Sequence, residues 1–149
     1  MSRETLALLI GGILPAFMFG FSNIFTKAST SGLISLSSYV TLVGIAVTLV
    51  GVVSGLMTKQ GFMADSKSTV FALGVGITWA LGQLLIALVL QKFSIPLSVL
   101  APIYNTNTLV AVLIALIIFS EWSQVSLVYL GVGAFLTTIG GILVSKSLI

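Results

Sequence analysis

The chain has 149 residues, 58% of them hydrophobic and only 6% charged, where a soluble domain carries about 25% charged residues. That leaves too little polar surface to clothe a fold in water, and a mean hydropathy of +1.25 makes lipid the expected solvent. The net charge of +3 comes from six scattered Lys/Arg with no basic cluster, which argues against a nucleic-acid partner, and the absence of Cys and His removes disulfides, thiol chemistry and the usual zinc sites.

A helix needs about 20 apolar residues to cross the roughly 30 Å hydrocarbon core of a bilayer. Five stretches meet that length, at about 5–27, 33–57, 69–90, 95–119 and 125–144. The first is too long for the apolar region of a signal peptide, and no convincing cleavage site follows it. A short polar turn, Ala28 to Gly32, separates it from the second. The only real loop, Thr58 to Ser68, carries Lys59, Gly61, Asp65 and Lys67. Gln91-Lys-Phe-Ser94 leads into the fourth stretch, where Pro96 suits a first helical turn. Ser120-Glu-Trp-Ser123 precedes the fifth, with Trp122 at headgroup level. Barrel strands of about 10 alternating residues do not fit runs twice that length. The expected fold is an all-α integral membrane protein, a five-transmembrane-helix bundle forming one domain.

Small residues recur at four-residue spacing: Gly12, Ala16 and Gly20; Gly51 and Gly55; Gly74, Thr78 and Gly82; Gly133, Thr137 and Gly141. Such faces let membrane helices approach closely. They serve ordinary bundle packing or, on the fifth helix, a dimer face.

The fourth stretch differs from the rest. Ala101-Pro-Ile-Tyr-Asn-Thr-Asn-Thr108 sets five polar residues after a proline. At about 1.5 Å per residue, Asn105 falls only about 3 Å from the expected midplane. Unpaired amides cost several kcal/mol in hydrocarbon, so they must face protein, water or a ligand. Pro102 cannot donate to the Ser98 carbonyl, which frees a second polar group at that depth. Tyr104, Asn105, Asn107 and Thr108 are therefore candidate solute ligands, with cross-helix hydrogen bonding as the alternative. On the third helix Trp79, Gly82 and Gln83 share one face; on the first, Gly20, Asn23 and Lys27 do. Trp79, Gln83 and Asn23 join the candidate ligands. Pro102, Gly20 and Lys27 are candidate structural or gating residues.

No Asp or Glu falls inside an apolar stretch: Glu4 and Glu121 stand at ends and Asp65 in the loop. This argues against carriage of lipophilic cations on a buried carboxylate. No nucleophile–base pair or metal cluster is visible, so neither an enzyme, a cofactor nor a metal site is expected.

Five spans put the termini on opposite sides. One side then receives Arg3, Lys59 and Lys67, the other Lys27, Lys92 and Lys146. Three against three cancels the positive-inside bias. The balance suits insertion in both orientations and an antiparallel homodimer, and an even split also arises by chance.

The segment Phe19-Gly-Phe-Ser-Asn-Ile-Phe-Thr-Lys27 resembles the opening helix of EamA-type members of the drug/metabolite transporter superfamily. Pro96 to Asn105 looks like the fourth helix of that family, with Pro102 at the family's proline. Glu121 stands where the family has an acidic residue, and Gly131 to Val144 is similar to its closing helix. The resemblance covers nearly the whole chain as one five-helix unit. It implies a solute transporter of the inner or plasma membrane, whose larger relatives carry two such units as an inverted repeat. The small multidrug resistance branch is similar in size but has four helices and an acidic residue in the first, and this sequence departs on both points. The expected function is a secondary transporter or facilitator of a small polar metabolite, such as a sugar or amino acid. The alternatives are a non-transporting scaffold subunit and an exporter of hydrophobic drugs or lipids.

Overall fold

The computed structural model describes residues 2–58 and 61–147. Lys59 lies outside the described residues, and so does its place in the charge tally. Among the described residues there is no strand. Five helices are long and apolar enough to cross a membrane. Their ends follow local chemistry more closely than hydropathy does.

Helix α1 runs Arg3–Thr30, and its π segment Leu9–Ile13 interrupts α-helical Arg3–Leu8 and Leu14–Thr30. The wide turn stands directly before Leu14-Pro15. Pro15 has no N–H for the Gly11 carbonyl, and its ring crowds that turn, which is a known cause of local unwinding. Helix α2 covers Leu36–Thr58. Its start is three residues later than hydropathy suggests, because the Ser35 hydroxyl caps it by accepting from the Ser38 N–H at 3.1 Å. Helix α3, Ser66–Lys92, begins at the Asp65 cap, whose carboxylate accepts from the N–H groups of Lys67 and Ser68.

The fourth stretch is not one continuous helix. It divides into α4, Leu97–Tyr104, and α5, Asn107–Ile118. Thr106 N–H bonds the Ile103 carbonyl at 3.2 Å, a tightened i−3 turn, and the Thr106 hydroxyl takes the same carbonyl at 2.6 Å. Asn and Thr compete with the helical ladder in this way, and Pro102 has already removed one rung. Helix α6 covers Leu127–Ser145. Both α3 and α5 are followed by Phe-Ser, with Ser94 and Ser120 in the left-handed region at φ 53° and 55°.

The chain divides into two compact units, Met1–Ser94 and Ile95–Ile149. In the first, α3 packs against both α1 and α2. Thr26, Thr30, Tyr39, Ala87 and Leu90 are buried there, and Gln91 donates to the Ile34 carbonyl at 3.0 Å, tying the α1–α2 connection to the end of α3. In the second, α4 packs against α6. A Cβ on Gly141 would stand 3.3 Å from the Thr106 methyl. Most large apolar side chains of the helices are exposed, including Phe17, Phe21 and Ile24 on α1. Water penalises such a surface and lipid accepts it. Of the small-residue faces, Gly12, Gly20, Gly51, Gly74, Gly82 and Gly133 have no atom within 4 Å of where a Cβ would stand. Within each unit they make no close helix contact among the described residues.

Candidate functional site

Three helix faces converge in the first unit. Ser22, Phe25, Thr26 and Ser29 lie at helical spacing on α1; Tyr39, Leu42 and Val43 do so on α2, and Trp79 and Gln83 on α3. With Ile34 they line a half-open cavity of about 180 Å³. None of these ten described lining residues is charged, and six of them carry a polar group.

A chain of polar contacts crosses this cavity wall. Thr26 Oγ1 lies 2.9 Å from the Ser22 carbonyl, Tyr39 Oη lies 2.9 Å from Thr26 Oγ1, and Gln83 Oε1 is 3.3 Å from Tyr39 Oη. One tyrosine thus links all three helices. The Ser22 and Ser29 hydroxyls and the Trp79 N–H form no hydrogen bond among the described residues, so they remain for water or a solute. Thr30 and Ser31 differ: both turn their hydroxyls back onto the end of α1, at the carbonyls of Thr26 and Lys27.

Of the residues singled out from the sequence, Trp79 and Gln83 meet in this cavity. Asn23 and Lys27 are half-buried on α1 and do not line it; Gly20 faces an open groove formed by α1 alone, with Phe17 and Phe21. Sequence reasoning missed Ser22, Thr26, Ser29 and Tyr39. The first three form a hydroxyl stripe at offsets of four and seven, a signal present in the sequence.

The remaining candidates belong to the second unit, at the junction of α4 and α5. Pro102 lies one turn before the break. Tyr104 is half-buried, while Asn105, Asn107 and Thr108 are exposed. The Thr108 hydroxyl donates to the Asn105 carbonyl at 3.0 Å. The two asparagine amides make no hydrogen bond among the described residues. No group of three or more potential metal-ligating side chains occurs among the described residues.

These features define a class, an all-α chain with five helices long and apolar enough to cross a membrane and, between three of them, a small half-open cavity that carries uncharged polar groups. Compared with protein-family models, curated proteins and solved structures, the chain matches none.

Proposed function

We propose that this chain is a multi-pass membrane protein, a single five-helix domain that transports or facilitates passage of a small polar metabolite and works as an antiparallel homodimer. The observation that carries the reading is the cavity of about 180 Å³ at which Tyr39, Thr26 and Gln83 form a hydrogen-bonded chain beside Trp79. Hydroxyls and an indole N–H left without partners beside a space between apolar helices are costly in lipid unless something polar meets them. The broken α4–α5 segment supports the same reading, because transporters commonly bind solute where a membrane helix is interrupted. In the second unit, Asn105, Asn107, Thr108 and Tyr104 would offer polar groups to a solute, with Pro102 setting the break. The balanced Lys/Arg distribution supports copies in both orientations, and the resemblance to EamA-type transporters points to the inner or plasma membrane.

The test is flux of a metabolite panel into proteoliposomes holding the purified chain, with and without a pH gradient. Saturable uptake of a neutral polar solute supports the reading. Absence of flux for every member, together with co-purification of a stoichiometric partner protein, would replace it with the scaffold alternative.

A further inference from the structure

Three contacts between oxygens, Ser22 carbonyl to Thr26, Thr26 to Tyr39 and Tyr39 to the Gln83 amide oxygen, need three protons. The Thr26 and Tyr39 hydroxyls supply two. With the amide oxygen on Tyr39, one of the three contacts is therefore left as two facing lone pairs in a half-buried, low-dielectric setting. Rotating the Gln83 carboxamide by half a turn exchanges its oxygen and nitrogen with almost no change of shape. The nitrogen then donates to Tyr39, Tyr39 donates to Thr26, and Thr26 donates to the Ser22 carbonyl. Every contact now carries one proton.

We infer that Gln83 gives its N–H to Tyr39 and turns its carbonyl oxygen to the cavity, making the pocket selective for a neutral solute that presents an O–H or N–H donor. The inference rests on the transport reading above and narrows its solute. The Gln83 carbonyl takes the solute's donor, and the Ser22 and Ser29 hydroxyls rotate to give or accept as the solute requires. No charged side chain lines the pocket, so a charged solute would be desolvated without compensation. Its volume of about 180 Å³ falls below the roughly 300–1,000 Å³ typical of drug-sized ligand sites. A small polyol or sugar fits this chemistry; an ether or a tertiary amide, which offers acceptors only, does not.

The test uses the full chain in lipid nanodiscs with ¹⁵N-labelled glutamine side chains. Gln83 is assigned by the loss of its signals in Gln83→Met, or in Gln83→Leu should the first variant fold poorly. The expected result is cross-peaks between the Gln83 NH₂ protons and the Tyr39 ring, with one NH₂ proton exchanging more slowly than in Tyr39→Phe. NH₂ protons with no such cross-peak, exchanging at the same rate in Tyr39→Phe, would overturn the orientation. A second arm measures binding of glycerol, erythritol and xylitol against analogues in which one hydroxyl is replaced by fluorine. Loss of the hydroxyl that meets Gln83 should weaken binding about tenfold, and Gln83→Met should erase that difference. Slow NH₂ exchange with no binding of any polyol and no flux of any panel solute refutes the transport reading and leaves the orientation standing. Binding indifferent to fluorine, with fast NH₂ exchange, refutes the donor selectivity and leaves transport standing.

Discussion

Tyr39 is the residue on which the first unit turns. It is buried near the start of α2, and its hydroxyl reaches Thr26 on α1 and Gln83 on α3. Hydrogen bonds in membrane proteins average about 0.6 kcal/mol and reach about 1.7. Tyr39→Phe should accordingly destabilise the protein by roughly 0.6–1.7 kcal/mol, read from reversible unfolding in mixed micelles, while Tyr129→Phe at an exposed position should change nothing measurable. Equal stability of the two variants would show that the three-helix link is idle. Trp79 and Gln83 were legible in the sequence because an offset of four on an apolar helix is a strong signal. Tyr39 was not: a tyrosine near a helix start reads as an anchor at the membrane surface. Only the neighbouring helices reveal that its hydroxyl has inter-helix partners.

At the scale of the element, helix ends carry the testable chemistry. Ser94 and Ser120 hold left-handed backbone where glycine is the usual residue. Ser94→Gly and Ser120→Gly should each stabilise by up to about 1 kcal/mol, seen as a higher unfolding midpoint. Asp65 behaves differently. Its carboxyl is held below the ordinary value, first by the hydrogen bond from the Ser68 side chain and then by the Ser68 N–H. A lowered folded-state pKa means that the cap's contribution is complete above the unfolded value of about 3.9 and is lost as pH falls through the lower folded value. Protection of the Lys67 and Ser68 amides, corrected for intrinsic exchange, should therefore hold from pH 7 to 5 and decline below about 4. Asp65→Asn, a cap that does not titrate, should flatten that profile. In the second unit, Gly141→Ala places a methyl 3.3 Å from the Thr106 methyl, closer than side chains ordinarily sit. It should lower stability, and Thr106→Ser, which removes the opposing methyl, should restore it. Failure of the double variant to recover would mean that α6 yields in some other way.

For the whole molecule, charge balance makes the sharpest prediction. On a five-span topology, Arg3, Lys59 and Lys67 would oppose Lys27, Lys92 and Lys146. Tags at either terminus should be detected on both sides of the membrane. Two further lysines in the Thr58–Ser68 loop should bias insertion and reduce flux by making the antiparallel partner scarce. Detection of every N-terminus on a single side would end the dual-topology proposal. The open small-residue faces bear on the same question: the glycines of α1, α2 and α3 that lack neighbours among the described residues of their unit leave room for lipid or for a second copy.

The five apolar stretches and their helical character followed from the sequence alone, because about 20 apolar residues in a row would satisfy their backbone in lipid only as a helix. The polar character of the Tyr104–Thr108 segment and the shared face of Trp79 and Gln83 were equally local facts. The division of the fourth stretch into α4 and α5 was half legible: Pro102 announced a lost rung, but the break falls at Asn105 and Thr106, where side-chain and backbone bonds compete within a fraction of the ladder's energy. Pro15 left a comparable signal for the π segment of α1. What only tertiary structure decided is which polar residues meet. Ser22, Thr26, Ser29, Tyr39 and Gln83 lie as many as 61 positions apart, and no periodicity within one helix records which face of another it will touch. That choice is made by packing between helices, where a rotation of one residue, about 100°, would carry Thr26 from Tyr39 out to lipid.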